Sequence, residues 1–208
     1  MRAVYINSYF NEENYRIFSS VSMPITKRKN LKRNIKAIQK EAGYASGPLS
    51  VNHIEDNPKV YRDILREFSK EGSVILLRCR NYDFRQELDA VIKLIALEKE
   101  KFEEPMRVYI PFRPTKYFLK RVQRMTDHLH LDAEIVEISL AESIFSQIGK
   151  IFAGCVAIHD SDDFIDVMDT KTGKLVNYIF TATRRPNEFM IAEQKVVRQN
   201  GKMKVSVN

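Results

Sequence analysis

The chain has 208 residues, 44% of them hydrophobic and 29% charged, with 34 Lys and Arg against 27 Asp and Glu for a net charge of +7. That length and composition describe a globular protein with a sizeable core, and seven Gly and seven Pro leave little room for long disordered tracts. No apolar run approaches the roughly 18 residues that a membrane span needs, and "MRAVYINSYF" is too short and polar to read as a secretory signal.

In chain order, "RAVYINSYF" reads as a first strand. "TKRKNLKRNIKAIQKEAGY" reads as a helix, with Leu31, Ile35 and Ile38 on one side and Lys29, Lys32, Arg33, Lys36 and Lys40 on the other. Gly43 and Gly47-Pro48 stop it, and the segment near 45–57 is the best linker candidate. A second helix is expected over about 58–70. "SVILLRC" is a continuous apolar run of the kind a doubly buried strand requires. Asp83 with Gln86 forms a capping box for a helix that runs to about Lys101, and Pro105 ends that segment. "MRVYI" is the next strand. A helix over about 115–130 places Phe118, Val122, Met125 and Leu129 inward and Lys116, Lys120 and Arg124 outward. "DAEIVEI" is a strand, Ser139 with Glu142 opens a helix to about 149, and "IFAGCVAI" reads as another buried strand.

Strands alternating with helices predict an α/β fold, a mainly parallel sheet with helices on both faces, over residues 1–160. After that the connections shorten. "FIDVMD", "KLVNYIFTAT", "EFMIAEQKVVRQ" and "KMKVSV" predict an antiparallel β-meander over 161–208, packed on or extending the same sheet. Asn200-Gly201 is the strongest hairpin signal in the chain.

The positive charge is clustered. Residues 27–40 and 113–124 carry no acid, and residues 171–208 hold eight basic side chains against Glu188 and Glu193. Such clustering is the footprint of a polyanion partner. The spacing points to a nucleic-acid-binding protein, DNA or RNA, that holds the phosphate backbone through Lys29, Lys32, Arg33 and Lys36, through Lys116, Lys120 and Arg124, and through Lys195, Lys202 and Lys204 beside aromatic residues on a sheet face. Solvated helix faces on a basic protein are the plainer reading of the same charges.

Two acidic patterns suggest chemistry instead. Glu193-Gln194-Lys195 has the Glu-x-Lys spacing of metal-dependent nucleases. A two-residue Asn200-Gly201 loop pairs Lys195 with Ser206, and antiparallel pairing with 174–183 sets Tyr178 opposite Glu193. No second carboxylate then falls beside Glu193, since Asp169 lies roughly 12 Å from Lys195 by strand spacing. Asp160-Ser161-Asp162 follows an apolar run, and paired hard oxygens there suit Mg²⁺ or Mn²⁺ in a transferase or phosphoesterase. Asp-rich turns also form for backbone reasons alone. His159 adjoins this run, whereas His53, His128 and His130 show no metal spacing. Neither a Gly-x-Gly-x-x-Gly nor a Gly-Lys-Ser/Thr loop is present. Cys79 and Cys155 sit in apolar runs and read as buried thiols of a cytoplasmic protein. A protein-interaction module, in which charge sets only solubility, is the third reading.

Overall fold

The computed structural model describes residues 1–11, 15–44, 48–79, 87–110, 116–138, 143–159, 173–176, 189–199 and 202–207. Seven strands form one sheet: β1 (Arg2–Asn11), β2 (Tyr15–Pro24), β3 (Ser73–Cys79), β4 (Met106–Ile110), β5 (Ala133–Glu137), β6 (Phe189–Gln199) and β7 (Lys202–Val207), in the order β5-β4-β1-β2-β3-β6-β7. β4 runs parallel to both β1 and β5, and β6 parallel to β3. The β1–β2, β2–β3 and β6–β7 pairs are antiparallel. β2, to which the sequence pattern assigned no element, therefore lies between β1 and β3 and makes the sheet mixed.

Helices cover both faces, as expected. Alternate residues of each strand, Ala3, Tyr5, Ile17, Val21, Val74, Leu76 and Tyr109, share a core with α1 (Arg28–Glu41), α2 (Pro58–Phe68) and α5 (Ile144–His159). The residues between them, Val4, Ile6, Phe18, Ile75, Leu77, Val108 and Ile110, pack against α3 (Glu87–Phe102) and α4 (Lys116–His128). This division follows from the pleat, which sends successive side chains to opposite faces.

Four expectations are revised. The helix expected to stop near 149 and the strand expected over 151–158 are one helix, α5. Ile151, Phe152, Ala153, Cys155 and Val156 are all buried, so the apolar pattern is continuous and carries no helical period. Its first turn is capped by Ser143, whose hydroxyl accepts from the Ser146 amide at 3.4 Å. Ser139 and Glu142, like Asp83 and Gln86, lie outside the described residues. The segment near 45–57 is packed over its described part, with Leu49, Val51 and Ile54 buried in the α5 core. Residues 173–176 are helical rather than part of a strand. β6 consequently pairs on its inner side with β3, which sets Glu193 level with Arg78 and not with Tyr178. The outer β6–β7 hairpin has the expected register, Lys195 with Ser206 and Gln199 with Lys202. The remaining strands of the expected meander fall outside the described residues.

Candidate nucleic-acid interface

α1 buries Leu31 and Ile35 and half-buries Ile38 against α2 and the sheet. The opposite side carries Lys29, Lys32, Arg33, Lys36 and Lys40, all exposed. None of these five makes an ion pair among the described residues. Lys27 is matched by Glu71 at 3.2 Å. Glu67, an acid of α2 in contact with α1, is already engaged by Lys70 and by Asn34 Nδ2 at 2.9 Å. The Lys70 ammonium first, then the Asn34 amide, holds the Glu67 carboxyl below its ordinary range.

Two features of α1 work against helix stability. Its first turn holds no acid, and its N-cap, Lys27, makes no side-chain cap. Cations therefore sit at the positive end of the helix dipole, an arrangement that costs about 0.3–1 kcal/mol. Lys29–Arg33, Lys32–Lys36 and Lys36–Lys40 are like-charge pairs at i, i+4, each unfavourable by about 0.2–0.5 kcal/mol. α3 of the same protein does the reverse, with Glu87 and Asp89 in its first turn and Lys99 and Lys101 in its last. α4 shares the α1 pattern, with no acid in its first turn and Lys116–Lys120 and Lys120–Arg124 at i, i+4, so both helices carry charge that their own stability does not call for. Arg28 anchors the start of the helix. Its guanidinium lies 5.0 Å from the Tyr109 ring centroid, and Nη1 donates to the Tyr109 hydroxyl at 3.3 Å. Tyr109 in turn stacks on Tyr5 at 4.7 Å.

Lys116, Lys120 and Arg124 on α4 are exposed too, but α4 belongs to the other side of the sheet. The two basic faces therefore point away from each other. Lys195, Lys202 and Lys204 share one face of the β6–β7 hairpin by register. Through the β3–β6 pairing they continue the row of Val74 and Leu76, on the side that bears α1. Asp160 and Asp162 lie outside the described residues. Among the described residues no three His, Cys, Asp or Glu side chains come within reach of a common metal ion. No described helix is long and apolar enough to cross a membrane.

Sequence reasoning also missed how α4 is seated. The buried arc of α4 is centred on Val122 and Thr126, while Met125 and Leu129 are exposed by 38% and 46%. The cause is Gln123. Its amide reaches the outer edge of β5, donating to the Ala133 carbonyl at 3.0 Å and accepting from the Ile135 amide at 2.9 Å. Its Nε2 also donates to Asp127 Oδ1 at 2.7 Å. One side chain thus completes an edge strand and turns the helix away from the rotation its apolar pattern implies.

No protein-family model matches the chain, and no curated protein matches it. Among solved structures, a chain of the PCNA:RNase HII complex from Archaeoglobus fulgidus is similar at 12% identity and a TM-score of 0.47, with 98% of this chain and 95% of that one covered. The ribonuclease H2 from Pyrococcus horikoshii OT3 is similar at 11% identity and a TM-score of 0.44, covering 90% of this chain and 78% of that one.

Proposed function

We propose that the protein binds nucleic acid through the outer face of α1, with the β6–β7 hairpin as an extension of the same footprint. The observation that carries this reading is the row of Lys29, Lys32, Arg33, Lys36 and Lys40, which forms no ion pair among the described residues and is kept on a helix whose own stability it opposes. From Lys29 to Lys36 the helix advances about 10 Å. At about 3.4 Å per nucleotide along one strand, that spans about three phosphates. Positions Lys195, Lys202 and Lys204 on the same side of the sheet extend the contact beyond the helix. Lys116, Lys120 and Arg124 face the other way and are left out of this footprint.

Binding of this type is read in its salt dependence, because each phosphate neutralised releases condensed counterions. Replacing Lys32, Arg33 and Lys36 together with Gln keeps good helix formers and relieves like-charge repulsion. Fluorescence anisotropy with labelled single- and double-stranded oligonucleotides should show weaker binding to all sequences alike. The slope of log K against log salt should be shallower by about three. An unchanged isotherm and slope in a folded triple variant removes α1 from any binding surface and overturns the proposal.

A further inference from the structure

Apart from Met1, the large hydrophobic side chains exposed among the described residues are Tyr117, Met125 and Leu129, at 68%, 38% and 46%. Tyr117 and Met125 belong to α4 and Leu129 to the turn that follows it, where the Leu129 amide still donates to the Met125 carbonyl at 3.0 Å. With Arg121, whose guanidinium lies 5.9 Å from the Tyr117 ring centroid, they form one row at i, i+4, i+8 and i+12. The row runs about 18 Å along the helix. Beside it runs a second exposed row, Lys116, Lys120, Arg124 and His128. The one acid of α4, Asp127, is held by Gln123. A row three turns long, apolar at Tyr117, Met125 and Leu129 and interrupted by Arg121, therefore lies beside a mainly basic flank in which exposed Asp127 is the one acid, and the Gln123 clamp on β5 fixes both in orientation.

We propose that this face of α4 docks an amphipathic helix of a partner protein, with an apolar seam of Leu-type residues and carboxylates along one flank. The length, spacing and charge of the face define the occupant. Tyr117, Met125 and Leu129, at i, i+8 and i+12, offer apolar contact over three turns to a partner helix whose own anchors fall at i, i+3, i+4 and i+7. Tyr, Met and Arg are the residue types enriched at the cores of protein interfaces. The basic row demands acid on the partner, and it discourages pairing of this face with itself in a second copy, where like charges would meet. A nucleic acid would use the cations and Tyr117 but would leave Met125 and Leu129 without a base to stack on. The nucleic-acid footprint proposed above lies across the sheet, so the two surfaces are separable by experiment.

The probe is a fluorescein-labelled synthetic peptide of about 22 residues, Ala-rich and above the length at which an isolated helix is marginal, with Leu on one face and Glu on one flank. A scrambled isomer spreads the same Leu residues around the helix, and a third peptide has Lys for every Glu. Single-stranded DNA and vesicles containing phosphatidylserine complete the set. The acidic amphipathic peptide should bind the full-length protein at least tenfold more tightly than either of the other peptides. Met125→Gln with Leu129→Gln should weaken that binding at least tenfold and leave DNA binding as it was. Lys120→Gln with Arg124→Gln should weaken it and flatten its salt dependence. The α1 triple variant should bind the peptide as well as the unaltered protein does. All these positions are exposed, and matching circular dichroism melts establish that the variants are folded. Equal binding of the scrambled peptide, or an unaltered isotherm for the Met125 and Leu129 variant, overturns the proposal. So does a loss confined to vesicle or DNA binding, which would assign the face to a lipid surface or a nucleic acid instead.

Discussion

Gln123→Ala should destabilise the protein through the sheet edge rather than through the helix. The wild-type amide makes two hydrogen bonds to β5, at 3.0 and 2.9 Å. Each such bond has a net value of about 0.5–1.5 kcal/mol. Truncation opens a path for water to the Ala133 carbonyl and the Ile135 amide, so the loss lies in the lower half of the summed range, about 1–2 kcal/mol. The better helix propensity of Ala returns a few tenths of a kcal/mol. The bond to Asp127 adds little, because that side chain is exposed. A net loss of about 1.2 kcal/mol lowers the melting temperature of a chain this size by about 2–5 °C. Gln123→Leu, of similar length but without the amide, should lose about as much. Circular dichroism melts give the first readout. Hydrogen exchange at the Ile135 amide gives the second and is the more specific, since that group should exchange faster in both variants while the β4 amides stay protected. A melt within about 1 °C of wild type together with unchanged exchange at Ile135 would refute the clamp.

Glu98 is buried at 0% exposure, with Oε1 accepting from the Ser20 hydroxyl at 2.5 Å. Burial raises its pKa, against the opposing pull of Ser20, Ser22, Arg2 and Lys101. A carboxyl raised on folding contributes stability that is complete below its unfolded value, about 4.3, and is lost as pH rises through the folded value. The difference in melting temperature between Glu98→Gln and wild type should therefore move in favour of the variant as pH increases from about 4 to 8, and a difference independent of pH would contradict this. Burial likewise pushes the thiols of Cys79 and Cys155 up to about 12. A disulfide reagent at pH 8 should leave both untouched in the native protein and titrate both after denaturation, because the thiolate is the nucleophile; rapid labelling of native protein would show that one of these sites opens.

The parts of the fold that were legible in the sequence are those with one buried and one wet side. α1 shows this most clearly, since Leu31 and Ile35 repeat at i, i+4 while lysines fill the opposite arc. α5 is nearly all buried, and without a wet face its period disappears into an apolar run that suits a strand equally well. β2 was hidden for the opposite reason. Ser19, Ser20 and Ser22 are buried inside it, and two of their partners lie far along the chain. The Ser19 hydroxyl donates to the Gly149 carbonyl, 130 residues on, and that of Ser20 to Glu98, 78 residues on. No local pattern records such a partner. The same limit applies to the candidate surface. The charges of α1 and α4 were evident, but their placement on opposite sides of the sheet depends on crossovers that a helical wheel does not contain.

α5 also sets a schedule for the nascent chain. β1 and β2 are complete once Pro24 is made, yet Tyr5, Ile17 and Val21 share their core with α5, which ends at His159. The close approach is built into the helix at Gly149, where a Cβ would lie 3.0 Å from Ser19 Oγ, and at Gly154, where it would lie 2.3 Å from Val51 Cγ2. At about 5–20 residues per second, a ribosome needs roughly 7–27 s to add the intervening segment. Through that interval the central hairpin waits with an uncovered apolar side. Contacts of this sequence separation raise contact order and slow folding. The early chain is thus the stage of this protein's life at which a chaperone has most to hold, and truncation ahead of residue 143 should leave it there permanently.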